Sequence, residues 1–370
     1  MVGNYLSVYK KLLNKQKNSV DKNFFYITLV LTVLGLIAVA DASAPQALNV
    51  FNDRFYFLKQ QSVWALIGII LMFVVSQINY KIWEKVAVPA FIISILFLIA
   101  VLLPSLGSKF LGARRWIYIG PISIQPAEFV KLSLAIYFAK VAEKEKQLLS
   151  YFIPLVLVIF LIMLQPDLGT TLVVVAIGMS EIFVSGIKLV YFFGASIIGI
   201  LGGAGVIFSS SYRKARLLTF LQQSQDPLGK DYHIRQILLA LGSGGIFGVG
   251  LGQSRQKFLF LPEAATDSVF AVIAEEIGFI GALAVIFLLF LFIKFAFRIA
   301  KNAPDTFSKV LATGITFWIS SQVIFNIGSN VALVPLTGIP LPFFSYGGSA
   351  LTMLLFASGI LLNISKYEKK

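Results

Sequence analysis

The sequence predicts an all-α polytopic membrane protein of about ten transmembrane helices, with a large extracytoplasmic loop between helices 7 and 8. Three observations carry that prediction. Of 370 residues, 58% are hydrophobic and only 13% charged, where a soluble chain carries about a quarter. Apolar runs recur that approach the roughly 20 residues needed to cross a bilayer core. The basic residues fall mainly on one side of those runs.

Composition also excludes classes of chemistry. The chain has no cysteine, which removes disulfides and thiolate metal sites. With His233 as its one histidine, the usual zinc and iron constellations are absent too. The net charge of +14 fits basic loops that set topology and attract anionic lipid, and no nucleic-acid partner is expected. Residues 1–23 form a polar, Lys-rich tail without a cleavable signal, because the first apolar run is long enough to stay in the membrane.

Hydropathy places the spans near 24–40, 60–78, 87–104, 124–141, 151–166, 169–187, 189–209, 268–298, 307–333 and 341–364. A transmembrane domain thus covers 24–364, followed by a short tail at 365–370. An even count puts both termini on one side. Lys10, Lys11, Lys15, Lys17 and Lys22 precede the first span, and Lys366, Lys369 and Lys370 follow the last. Lys81, Lys85, Lys140, Lys144, Lys146, Lys188, Lys294, Arg298, Lys301 and Lys309 fall on that same side, which is therefore cytoplasmic.

Ten of the twelve exceptions sit in two outer connections. The short one holds Lys109, Arg114 and Arg115; the long one, about 210–267, holds Arg213, Lys214, Arg216, Lys230, Arg235, Arg255 and Lys257. Positive charge kept outside against the topological bias points to an anionic ligand at the outer leaflet. Long loops translocate whatever their charge, which accounts for the second connection but not the first.

Taken in order, several stretches could carry chemistry. After Arg114-Arg115-Trp116, the fourth span opens with Gln125-Pro126-Ala127-Glu128-Phe129-Val130-Lys131. Glu128 and Lys131 share a helix face at the span's edge, where ionisable residues face a partner or a cavity. They either pair with each other, or Lys131 serves as counter-charge for a phosphate or for Asp267. Trp116 fits an interfacial anchor. Gln165-Pro166-Asp167-Leu168-Gly169 is a turn whose Asp167 could hold an arginine or an ion. The segment 240–257 is dense in glycine and ends in Arg255 and Lys257. Its freed backbone N–H groups could cradle phosphate or allow close packing, and it is no Walker A loop.

Leu261-Pro262-Glu263-Ala264-Ala265-Thr266-Asp267-Ser268 then leads into the eighth span, which carries Glu275 and Glu276. Asp267 at the span's mouth could accept a proton from a sugar hydroxyl; alternatively Thr266 or Asp267 caps the helix. Glu275 and Glu276 lie about 12–14 Å deeper and are expected to pair with polar groups in the bundle. Gln322, Asn326, Ser329 and Asn330 form one helical stripe, either hydrogen-bonding between helices or walling a groove. The stretch 335–349 is too rich in Pro and Gly to be helical.

These stretches together resemble the SEDS family (shape, elongation, division and sporulation), the polytopic peptidoglycan glycosyltransferases that include FtsW and RodA. The matches are Gly112-Ala113-Arg114-Arg115-Trp116-Ile117, Gln125 to Leu132, Gln165 to Thr170, Gly242-Ser243-Gly244-Gly245, Leu261-Pro262-Glu263, Thr266-Asp267, and Pro340-Leu341-Pro342 through Ser345-Tyr346-Gly347-Gly348-Ser349. They run in order over nearly the whole chain. Arg114-Arg115 and the segment 250–258 look closer to the FtsW branch. One departure stands out: the family usually reads Pro-Glu-x-His-Thr-Asp-Phe, and this chain reads Pro-Glu-Ala-Ala-Thr-Asp-Ser.

The resemblance implies polymerisation of lipid II, the undecaprenyl-pyrophosphate-linked disaccharide-pentapeptide, with inversion and release of undecaprenyl pyrophosphate. It makes Asp267 the catalytic base. Arg114, Arg115, Lys131, Arg255 and Lys257 are candidate pyrophosphate contacts, and Glu128, Ser345, Gly347 and Gly348 further candidates at the substrate. No firm cofactor is implied, and a divalent cation (Mg or Mn) bridging Asp267 and the pyrophosphate is left open. The implied partners are a class B penicillin-binding protein transpeptidase and other divisome or elongasome membrane proteins. The rival classes are a flippase for lipid-linked precursors, for which intramembrane acids and Lys131 are natural, and a non-enzymatic scaffold.

Overall fold

In the computed structural model the chain is a helical bundle with a small sheet at one end. It describes residues 19–110, 113–120, 122–144, 148–208, 232–258 and 260–368. The tail before residue 19, Gly112, Lys146, Lys369, Lys370 and the part of the long loop carrying Arg213, Lys214, Arg216 and Lys230 lie outside the described residues.

The helices are α1 (Lys22–Phe51), α2 (Tyr56–Gln77), α3 (Lys81–Ala100), α4 (Pro126–Lys144), α5 (Leu149–Met163), α6 (Leu168–Val184), α7 (Leu189–Phe208), α8 (Tyr232–Gly244), α9 (Val269–Lys301), α10 (Thr306–Asn330) and α11 (Gly348–Ser365). Among the described residues α1, α2, α3, α9, α10 and α11 are long and apolar enough to cross a membrane, and α5, α6 and α7 are shorter apolar helices. Leu66, Ile70, Phe73, Ile92 and Leu96 are more than half exposed, as a surface solvated by lipid requires. The protein is therefore multi-pass. α10 and α11 form the centre, with Trp318, Phe307, Leu355 and Leu361 almost wholly buried.

Two ends can be told apart. At one, the Asp21 carboxylate pairs with Arg298, and the Asp21 N–H donates to Ser365 Oγ at 3.0 Å. There too Tyr80 donates through its N–H to Asn363 Oδ1 (2.8 Å) and through its hydroxyl to Asp305 Oδ2 (2.6 Å). The start of α1 and the end of α11 thus share an end, as an even number of crossings demands. The connections carrying the candidate site gather at the other.

The structure departs from the sequence expectation in four places. The connection after α3 is not loop but a three-stranded antiparallel sheet, β1 (Gly107–Phe110), β2 (Ala113–Ile119) and β3 (Ile122–Ile124), in the order β1-β2-β3. Trp116, Ile117, Tyr118, Ile119, Ile122 and Ile124 are β-branched or aromatic, types that favour a pleated surface. Ile117 pairs with Gly107 and Ile124, and Ile119 with Ile122. Next, α1 runs through Asp41 and Pro45 to Phe51; its 30 residues rise about 45 Å, past a core of about 30 Å. The long connection between α7 and α9 contains a helix of its own, α8. Finally, α9 is broken at Gly278, whose φ of 69° and ψ of −173° are not helical.

Candidate functional site

Asp267 ends the turn that enters α9, half-buried. That turn is internally braced. Thr266 donates its hydroxyl to Glu263 Oε2 at 2.7 Å, and Thr266 and Ser268 both donate N–H groups to the Glu263 carbonyl at 3.1 Å. The N-cap position is Ser268, so neither Thr266 nor Asp267 occupies it. From α10, Asn326 and Asn330 each direct an Nδ2 donor onto the Asp267 carbonyl, at 2.9 and 3.0 Å. The helical stripe legible in sequence is therefore a clamp on the backbone of the acid. Asn326 also donates to the Ile339 carbonyl at 2.7 Å, tying the same clamp to the Pro-rich connection. Beyond the carboxylate lies Gly338, where an added Cβ would stand 3.4 Å from Asp267 Oδ2.

The connection 331–347 packs onto this turn from the other side. Ser345 donates to the Thr266 carbonyl and accepts from the Leu341 N–H at 2.7 Å. The Tyr346 N–H donates to the Ala265 carbonyl at 2.8 Å. Gln61 of α2 accepts from the Gly347 N–H at 3.2 Å, and Gly348 lies against Trp64, where a Cβ would meet the indole at 2.3 Å. Ser345, Gly347 and Gly348 thus join three elements around Asp267, a scaffolding role that their sequence pattern did not distinguish from substrate contact.

The cations divide into two groups. Arg115 is bound to the turn between α5 and α6: its guanidinium donates to the Gln165 and Pro166 carbonyls at 3.2 and 2.5 Å and stands 3.6 Å from Asp167. Asp167 holds an arginine, one of the two roles read for it, and caps α6 by accepting from the Thr170 N–H at 3.0 Å. Gly169, in the first turn of α6, packs against the Thr337 carbonyl, so this cluster abuts the connection that carries Gly338. Lys131 donates to Glu128 Oε1 at 2.7 Å, both side chains at most 3% exposed, and its ammonium lies 4.8 Å from the Trp318 ring centroid. Of the two readings of this pair, mutual pairing is the one the geometry contains. Glu128 also lines a cavity of about 20 Å³ with Gln322, Pro340 and Ser345.

Lys257 is buried between Glu276 (2.6 Å) and Asp41 (2.7 Å). Its side chain, 4% exposed, already has two acidic partners inside the bundle. Glu275 and Glu276 pair with polar groups, as expected, but the groups are mostly backbone. Glu276 accepts from the Gly252 and Ser254 N–H groups (2.9 and 3.0 Å), and Glu275 from Ser254 Oγ and the Arg255 N–H (2.5 and 3.1 Å). Arg114 and Arg255 are different. Arg114 Nε is buried without a hydrogen-bond partner, and the Arg255 side chain is exposed. Among the described residues no ion pair involves either guanidinium.

Sequence reasoning missed Asp41, the Gln61 bridge, and His233, whose Nε2 lies 2.8 Å from Ser268 Oγ. It also missed Glu181, fully buried in α6 against Gly314. Only long-range packing reveals these. Among the described residues no group of three His, Asp or Glu side chains converges.

The chain is similar to known proteins over nearly all of its length. Residues 21–370 match the family model FTSW_RODA_SPOVE, described as cell cycle protein. Stage V sporulation protein E of Bacillus subtilis (strain 168) is 42% identical over 365 residues, covering 96% of this chain and 100% of that protein. A probable peptidoglycan glycosyltransferase FtsW of Trichlorobacter lovleyi is 38% identical over 353 residues, 93% of each chain. Among solved structures, a chain from a peptidoglycan synthase complex that coordinates polymerization and crosslinking superposes with a TM-score of 0.78 at 28% identity, covering 95% of this chain and 99% of that one. Thermus thermophilus rod shape determining protein RodA superposes with a TM-score of 0.70 at 27% identity, covering 95% and 98%.

Proposed function

Because the chain belongs to the FtsW/RodA/SpoVE family of cell cycle proteins, we infer that it is a peptidoglycan glycosyltransferase that polymerises lipid II with Asp267 as general base. The observation that carries this reading is the clamp on Asp267: two asparagines of the central helix fix its backbone at 2.9 and 3.0 Å, while its side chain stays half-buried at the bundle end. A sugar hydroxyl is a poor nucleophile and needs a carboxylate within hydrogen-bond reach. In the proposed step the acceptor's 4-hydroxyl oxygen bonds to the anomeric carbon of the donor, its proton passing to Asp267. The bond from that carbon to pyrophosphate breaks on the opposite face, which inverts the centre. Undecaprenyl pyrophosphate leaves as an anion, so cations can replace a protonated acid; the pair of carboxyls that hydrolytic glycosidases use is not needed.

Arg114 and Arg255 are the proposed pyrophosphate contacts, since among the described residues they alone of the five candidate cations carry no acidic partner. Arg115 holds the Asp167 turn, and Lys131 pairs with Glu128, which lines a small cavity with Ser345. Both termini are proposed to be cytoplasmic, which puts Asp267 at the outer face. A class B penicillin-binding protein is the proposed partner, by analogy with the peptidoglycan synthase complex whose chain this one resembles.

Labelled lipid II supplied to purified protein, with and without a candidate transpeptidase, tests the reading. Wild type should yield glycan polymer, and Asp267→Asn should lose at least about 10²–10⁴-fold in rate at unchanged yield and thermal stability. Equal product from the variant would remove Asp267 as base. Sidedness change of lipid II without polymer would identify a flippase, and neither outcome a scaffold.

A further inference from the structure

We propose that the glycine-rich loop 245–252 is seated in the outer leaflet of the bilayer, with Phe247 and Leu251 as its inserted tips and lipid as the occupant of this apolar surface. Phe247 is 81% and Leu251 76% exposed, among the largest apolar exposures in the protein. Water-facing loops seldom present two such side chains four residues apart.

The depth of the loop follows from the break in α9. At Gly278 the helix loses its own hydrogen bonds, and the loop replaces them. Phe279 and Ile280 donate to the Gly245 and Ile246 carbonyls (2.9 and 3.2 Å), while Val249 and Gly250 donate to the Glu275 and Glu276 carbonyls (both 3.0 Å). The loop is therefore level with Phe279 and Ile280. From Phe279 to Arg298, which pairs with Asp21 at the opposite end, the helix rises about 29 Å, close to the roughly 30 Å of the hydrocarbon core. The loop accordingly sits at the core's outer boundary. Phe279 (61% exposed) and Ile280 (53%) continue the apolar surface into the lipid-facing side of α9.

Irregular backbone is tolerated near the core only when its polar groups are satisfied within the protein. Here every backbone N–H from Gly248 to Lys257 except that of Leu251 has an internal acceptor, several of them the Glu275 and Glu276 carboxylates. Within the loop the acceptors are the Gly244, Glu275 and Glu276 carbonyls and, for Gly252, the Glu276 carboxylate, while the two carboxylates anchor the segment that follows it, 254–256. The exposed side chain of Arg255, three residues beyond the loop, suits anionic head groups.

The absence of cysteine makes the test direct. Single-cysteine variants Phe247→Cys and Leu251→Cys carry an environment-sensitive fluorophore in liposomes, with Arg54→Cys as an exposed control. The inserted loop predicts blue-shifted emission, protection from aqueous iodide, and quenching by nitroxide lipids at a depth of about 5–10 Å below the head groups. Iodide quenching equal to that at Arg54→Cys would overturn the proposal. So would shielding from both quenchers, which would mean that a protein chain covers the loop. Because the readout is independent of glycan synthesis, failure here leaves the assignment of Asp267 untouched.

Discussion

The buried Lys131–Glu128 pair tests how a charge that looks catalytic can serve packing instead. Removing one member of a buried pair leaves an uncompensated charge and costs about 3–5 kcal/mol, whereas replacing both with apolar groups is often neutral. Lys131→Met should therefore lower the thermal midpoint in detergent, and Glu128→Leu with Lys131→Met should restore most of it. If the stable double variant also polymerises lipid II, the pair's role is structural; if it is folded but inactive, Lys131 touches substrate. The Asn326–Asn330 clamp supplies the complementary prediction. Replacing both by Leu frees the Asp267 carbonyl and should cut turnover by up to about 10²-fold, the effect of a small misplacement, with KM nearly unchanged. Local residue chemistry was legible in the sequence, which sets Asp267 at a span's mouth near basic connections. It was not legible for Lys257, whose partner Asp41 lies 216 residues away.

Among the elements, α9 departs most from its hydropathy. Its apolar run reads as one span, yet Gly278 breaks it, and a Cβ there would stand 2.3 Å from the Gly248 N. Gly278→Ala should therefore cost at least the about 1–3 kcal/mol of a strained backbone, detach the glycine loop, and appear as a lower melting temperature by fluorescence-detected gel filtration. Gly248→Ala, placed 2.1 Å from the Glu276 carbonyl oxygen, should do the same. The turn between α1 and α2 has a different sensitivity. A hydrogen bond from the Lys59 ammonium, with help from the Phe55 N–H, holds the Asp53 carboxyl below its ordinary range. A depressed carboxyl favours the fold above its unfolded pKa of about 3.9 and loses that contribution as pH falls through the lower, folded value. Asp53→Asn should remove this small acid-side dependence, measured as the melting temperature against pH.

The molecule as a whole is a two-ended bundle. Its orientation is checked by labelling single cysteines with a membrane-impermeant maleimide on intact cells. Arg54→Cys should react and Asn302→Cys should not; the reverse pattern would put Asp267 in the cytoplasm and end the proposal for lipid II polymerisation. By itself the sequence determined a multi-pass helical chain and the end that gathers the candidate residues, because hydropathy, charge bias and short motifs are properties of neighbouring residues. Tertiary structure alone decided which cations are occupied, that Glu275 and Glu276 organise a loop, and that α9 breaks at Gly278. The reason is physical: whether a charged side chain is available to a ligand depends on which other side chains packing brings to it, and Lys257–Asp41, Tyr346–Gln60 and Asn330–Asp267 meet across 216, 286 and 63 residues of chain.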